Sequence, residues 1–290
     1  MIGEINPTLR RRKLAAELRR LREDAGLNGV QVAQSLRWST SKISRLETGQ
    51  VAPSRKDVAK LLNYYKVENE WGALLLALAA DNWNTKGWWD SYADLVPEPV
   101  LELFGLEDGA SQVRVWNAFS LPGLLQTQDY AMQIGRRTGE LVSPGRVERR
   151  TRAKLMRQRV LTKEPPLRYS AVLDEGVLRR RFGDLDAKLM RDQLQHLVKL
   201  SDLPNVTIQV VRLEQPHPTD ITNFILLSFP SMPALGRVSE EIVYYENYPS
   251  FTLSEDEETA FQLSLVFDQL EQASMTEEES REFMASLAAR

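Results

Sequence analysis

Apolar residues recur at helical spacing through the first third of the chain. Leu14, Leu18 and Leu21 mark a first helix, opened by Asn6-Pro7 as a cap followed by proline and stopped near Gly26. A short second helix after Asn28 turns Val32, Ala33 and Leu36 inward. Three residues later Ser39 is placed to cap a third helix. Ser54 and Asp57 form a capping pair for a fourth helix carrying Val58, Leu61, Leu62 and Tyr65. A fifth is expected over 68–80 through Trp71, Leu74, Leu75 and Leu78. Five short helices in 1–80 predict a compact all-α module.

Past the aromatic residues Trp83, Trp88 and Trp89 the rhythm changes. Helices are expected over 98–118 and 129–138, and a basic one over 146–161. The segment 167–173 alternates as a strand, 188–200 reads as an amphipathic helix, and 206–211, 224–229 and 242–245 read as further strands. Strand, helix, strand implies a right-handed parallel crossover. Thr276 and Glu279 form a capping box for a last helix. The expected fold class is therefore multidomain α and α/β: a five-helix bundle at 1–80, then an α/β domain at 85–290 with a small mixed sheet.

The third helix is unusual for what it leaves outside. On a wheel of about 100° per residue, Ile43 and Leu46 define the buried side, flanked by Ser39 and Glu47. Ser41, Ser44, Arg45 and Thr48 point away, and Lys42 lies to one side. Small hydroxyls and one arginine on a narrow helix suit the DNA major groove, about 12 Å wide, where arginine reads guanine and Ser or Thr reach several base edges. A plain solvated helix has the same pattern.

Charge favours the groove. Through Lys66 the chain carries 14 basic and 6 acidic side chains, a surplus of +8, so the net charge of −3 leaves −11 on the remainder. A basic module on an acidic body points to a polyanion partner for the first alone. The helix–turn–helix layout agrees.

The stretch RRKLAAELRRLREDAGLNGVQVAQSLRWSTSKISRLETGQVAPSRKDVAKLL resembles the Xre/Cro repressor-type family over nearly its whole domain, with SKISRLETG as the most specific part. The resemblance implies binding to a double-stranded DNA operator, with Thr40, Ser41, Lys42, Ser44 and Arg45 at base-facing positions. It also implies an ion pair between Glu47 and Arg22. Arg11, Arg12, Gln31, Arg37, Arg55 and Lys56 are the expected phosphate contacts. Two positions depart from the pattern. Arg37 stands where the turn usually has glycine, a strain of about 1 kcal/mol, and Gly29 stands where helix two often begins with glutamine, so Gln31 is the expected replacement.

LPGLLQTQDYA (121–131), RQRVL (157–161), VLDEGVLRR (172–180) and NVTIQVV (205–211) resemble the C-terminal domain of a large actinobacterial regulator family. Its members are described as antitoxin-like and are commonly encoded beside small partner proteins. That implies a regulatory domain that senses a ligand or a small protein partner; the alternative is an antitoxin-type adaptor for which DNA binding is secondary.

Catalysis is not expected. The chain has no cysteine and two histidines, His196 and His217. This excludes disulfides, thiolate nucleophiles, most triads and His-rich metal sites, so no metal or cofactor is expected. Asp174 and Glu175 adjoin at a strand end and point apart, and Asp174 is better read as capping the next turn. Arg149, Arg152 and Lys154 lie in the basic helix, which is either a solvated face or a surface for an acidic partner, an anionic ligand or flanking DNA. No apolar run reaches the roughly 20 residues of a membrane span and no signal pattern opens the chain. The expectation is a cytoplasmic homodimer, since one module touches few base pairs and half-sites are usually read in pairs.

Overall fold

The computed structural model describes residues 6–79, 87–138, 143–180, 187–230, 241–247 and 250–289. It divides into two compact units, the first ending at Asp90 and the second beginning at Ser91. Ala80, the expected end of the fifth helix, and Trp83 lie outside the described residues. No helix among those described is long and apolar enough to cross a membrane.

The first unit holds α1 (Pro7–Asp24), α2 (Gly29–Leu36), α3 (Thr40–Glu47), α4 (Arg55–Tyr64) and α5 (Glu70–Leu78). Each begins at a residue whose side-chain oxygen accepts a backbone N–H of the first turn: Asn6, Asn28, Ser39, Ser54 and Asn69. The inward stripes meet in one core, in which Leu14, Leu18, Val32, Ile43, Leu46 and Leu61 are all buried.

The second unit contains α6 (Glu98–Gly109), β1 (Gln112–Asn117), α7 (Gln128–Thr138), α8 (Pro144–Arg157), β2 (Arg168–Asp174), α9 (Glu175–Arg179) and α10 (Ala187–Leu200). It continues through β3 (Val206–Val211), β4 (Asn223–Ser228), β5 (Glu241–Asn247), β6 (Ser250–Ser254), α11 (Glu257–Ala273) and α12 (Glu277–Ala288). The strands form one mixed sheet in the order β3-β2-β1-β4-β5-β6. β1, β2 and β3 are parallel, and β4, β5 and β6 run antiparallel to their neighbours.

The basic helix expected over 146–161 ends at Arg157, and the turn expected after Asp174 is the short helix α9; in the sheet, two strands differ from expectation. The helix expected over 98–118 stops at Gly109, and 112–117 is the central strand β1. Val113 and Val115 turn to one face of the sheet while Arg114 and Trp116 turn to the other, a period of two that a short apolar run does not separate from a helical one. β6 was also unexpected; it pairs Leu253 with Tyr244 and Phe251 with Glu246 as an edge strand, and its apolar residues are only partly buried.

One face of the sheet packs on α11 through Trp116, Phe224, Val243, Leu263 and Phe267. Elsewhere in the unit lies a buried ion pair. Arg157 donates from Nε and Nη2 to the two carboxylate oxygens of Glu107 at 2.7 and 2.6 Å, and its guanidinium sits 4.8 Å from the centre of the Phe104 ring. Burial works against the arginine's charge, but Glu107 more than restores it. Burial first, and Glu107 second, push the nearby Tyr169 phenol up.

This pair explains the LPGLLQT segment. A Cβ on Gly123 would lie 2.8 Å from Arg157 Nη1, so any side chain there would have to displace a guanidinium that Glu107 holds with two bonds. Around it the Gln126 side chain donates to Leu121 O, Gln158 donates to Gln126 O, and Gln193 both donates to Leu125 O and accepts from Thr127 N. Segments 121–127 and 157–161 form one buried polar junction that ties α8 and α10 together.

Removing one partner of a buried pair strands the other, so Glu107→Ala should cost about 3–5 kcal/mol in denaturant unfolding of the full chain. Glu107→Leu combined with Arg157→Met should cost markedly less than Glu107→Ala, because no charge is left stranded.

Candidate nucleic-acid interface

α2 is closed at its start by a reciprocal cap: Asn28 Oδ1 accepts from Gln31 N at 2.9 Å, and Gln31 Oε1 accepts from Asn28 N at 2.8 Å. Gln31 thus commits its carbonyl oxygen to the helix start, leaving the side-chain NH2 as its donor for any outside contact. α2 ends at Arg37, which adopts φ 55° and ψ 44°, the left-handed conformation that the glycine-type turn requires. Trp38 N donates to Ala33 O at 2.8 Å and Arg37 N to Gln34 O at 3.2 Å, which closes the last carbonyls of the helix. Arg37 itself is exposed.

Ser39 Oγ accepts the Lys42 N–H at 3.1 Å and opens α3. Ile43 and Leu46 are buried, whereas Thr40, Ser41, Ser44, Arg45 and Thr48 are exposed. Arg45 Nε reaches back to Ser41 O at 3.3 Å and Thr48 Oγ1 donates to Ser44 O at 2.9 Å, so both side chains lie along their own helix. Gly49 follows with φ 72°, where a Cβ would sit 3.6 Å from that of Ala15 on α1.

α3 is held by its flank. Arg22 Nε donates to Glu47 Oε1 at 2.8 Å and Oε2 at 3.0 Å, and Arg22 Nη1 donates to Leu27 O at 2.8 Å. The side chains are 13% and 11% exposed, so the pair is mostly desolvated. Hydrogen bonding to Glu47 holds the Arg22 guanidinium above its ordinary value against its burial. Beside this pair opens a groove of about 290 Å³ lined by Val30, Thr40, Ser44 and Thr48 among others. Val30 is 52% exposed and had no distinguishing signal in the sequence.

Of the remaining candidate phosphate contacts, Arg55 and Lys56 are exposed at the start of α4, and Arg11 and Arg12 are half-buried on α1. Lys42 departs from expectation. Its ammonium is 2.8 Å from Asp57 Oδ1 and 3.9 Å from the centre of the Trp38 ring, so it is held at the side of α3 and away from the hydroxyl face. The wheel gave the angle correctly; the captors come from the turn and from α4. Asp57 was read only as a capping residue.

In the second unit the basic helix α8 spends most of its charge internally. Arg146 and Arg150 donate to Asp94 O and Leu95 O, Arg149 pairs with the Asp94 carboxylate, and Arg159 pairs with Asp108. Arg149, Arg152 and Lys154 do not form one surface. Arg149 and Arg152 are exposed, with Arg152 3.7 Å from Glu148, while Lys154 is half-buried about 140° further round the helix. Burial, opposed by Glu246 and reinforced by Arg157 and Arg150, pulls the Lys154 ammonium below its usual value.

Asp174 caps α9 by accepting from Gly176 N, and Glu175 accepts from Arg179, Arg212 and Leu213 N. His217 Nε2 lies 3.5 Å from Asp174 Oδ2, and His196 is half-buried on α10. Among the described residues no three His, Asp or Glu side chains are grouped to hold a metal ion.

Comparison with known families gives two matches. The model of a helix-turn-helix domain matches residues 13–73, and that of a domain of unknown function, DUF5753, matches residues 100–286. No similar curated protein and no similar solved structure was found.

Glu47→Ala leaves Arg22 desolvated without its carboxylate and should cost about 3 kcal/mol in the unfolding transition of residues 1–80, monitored in a thermal melt. Arg37→Gly relieves the left-handed strain and should stabilise the same transition by about 0.5–1 kcal/mol, glycine's greater freedom in the unfolded chain offsetting part of the gain.

Proposed function

The chain belongs to the DUF5753 family over residues 100–286, with a helix-turn-helix domain ahead of it, and from that premise we propose a sequence-specific transcription regulator of Xre/Cro type. The observation that carries this reading is the exposed face of Thr40, Ser41, Ser44, Arg45 and Thr48 on a helix anchored from its other sides by Ile43, Leu46 and the Arg22–Glu47 and Lys42–Asp57 pairs. A helix with side chains is about 10–12 Å across, which nearly fills the major groove. Arg45 is the guanine reader, the hydroxyls contact neighbouring base edges, and Arg37, Arg55 and Lys56 meet phosphates. Turning Glu47 inward keeps a carboxylate from the duplex.

The regulator acts in the cytoplasm as a dimer on paired half-sites. The second unit is assigned to regulation, with the exposed cations Arg149 and Arg152 as the surface for an acidic protein partner. No catalytic role is assigned to it. The absence of cysteine from the sequence and the engagement of Glu175 with two arginines support that reading.

Selection from a random duplex library with the full chain should yield a repeated half-site whose centres lie about 34 Å apart or a multiple of that. Arg45→Ala should cost about 1–3 kcal/mol on the selected site and relax preference at one base pair. Arg55→Ala or Lys56→Ala should weaken all sequences alike and flatten the salt dependence by about one phosphate each. Retained preference at every position in Arg45→Ala would show that α3 is not docked as proposed.

A further inference from the structure

Lys42 belongs to the presented helix, yet its charge is withheld from the presented face. The ammonium sits between the Trp38 ring, 3.9 Å away, and Asp57 Oδ1, 2.8 Å away. Trp38 comes from the turn before α3 and Asp57 from the first turn of α4, so two separate elements hold it. Lys60 brings a second ammonium to 5.9 Å of the same ring. The Lys42 and Asp57 side chains are 35% and 20% exposed, which screens the pair less than an open surface pair. Asp57 is not needed as a cap acceptor, since the α4 cap is made by its backbone N–H to Ser54 Oγ at 3.1 Å.

A lysine on the flank of a helix that fills the major groove faces the groove wall, which is phosphate. We infer that Asp57 is a positioning residue that competes with DNA phosphate for Lys42 and thereby lowers sequence-independent affinity. The inference rests on the DNA-binding reading of α3. Each phosphate neutralised steepens the dependence of log K on log salt by about 0.9, so withholding one lysine removes about one such increment. Specific contacts from Arg45 and the hydroxyls are untouched, and the ratio of specific to non-specific binding rises.

The test measures binding of the full chain to a labelled 24-base-pair duplex of random sequence over a salt series. Asp57→Asn keeps the shape of the side chain and removes its charge. It should tighten binding by about threefold to tenfold near 0.1 M salt and steepen the slope by about 1. In a Lys42→Met background, which retains an apolar stem for Trp38, the same Asp57→Asn change should leave slope and affinity where Lys42→Met alone puts them. A thermal melt of each variant separates loss of fold from change of binding.

A parental slope in Asp57→Asn overturns the inference while leaving the DNA-binding reading standing. So does an equal steepening in the Lys42→Met background, which would mean that removing any negative charge has the same effect. Failure of the parent itself to bind duplex with a measurable salt dependence overturns the DNA-binding reading, and this inference with it.

Discussion

The contact between Arg22 and Glu47 makes the rest of the first unit usable. α3 spans Thr40–Glu47 and buries only Ile43 and Leu46, too short and too polar to persist on its own. Arg22 fastens its end to α1 and, through Leu27 O, fixes the approach to α2. With Gly49 taking the left-handed φ of 72° that turns the chain back after α3, the helix is held from behind and from its C-terminal side. Its outer face can then be composed for contact with a ligand, with almost no demand from the core.

The second unit solves its own assembly with a related device. Arg157 and Glu107 are buried together and bracketed by Phe104 and Gly123. That pair and the glutamine bonds of Gln126, Gln158 and Gln193 account for most of LPGLLQT and RQRVL as internal structure. The sequence of this segment carries no chemistry that can be read without the fold, and in the structure its side-chain hydrogen bonds run chiefly to the backbone. The charge of α8 and the turn after it is treated likewise: five of the seven basic residues in 146–161 donate hydrogen bonds to acceptors within the unit.

The helices of the first unit were legible because spacing and capping agree. Asn6, Asn28, Ser39 and Ser54 each cap the helix they precede, and Leu14, Val32, Ile43 and Leu61 are core as their period requires. β1 was not legible because Gln112–Asn117 is short and follows a helix directly, so its alternation was absorbed into the helical pattern. At the candidate site the wheel separated Ile43 and Leu46 from Ser41, Ser44 and Arg45. It could not reveal that Asp57 and Trp38 hold Lys42, because that depends on where α4 packs. For Lys154 the same wheel, applied to 146–161, already sets it about 140° from Arg149; that this side of α8 is half-buried depends on what packs against it.

The most direct measurement is amide chemical-shift mapping of the full chain as its selected duplex is added. Amides of residues 40–48 and of Arg55 and Lys56 should shift first and most, with those of Ile43 and Leu46 moving less than those of Ser44 and Arg45. Shifts concentrated in α1, α5 or the second unit, with residues 40–48 unmoved, would contradict the placement of α3 in the groove.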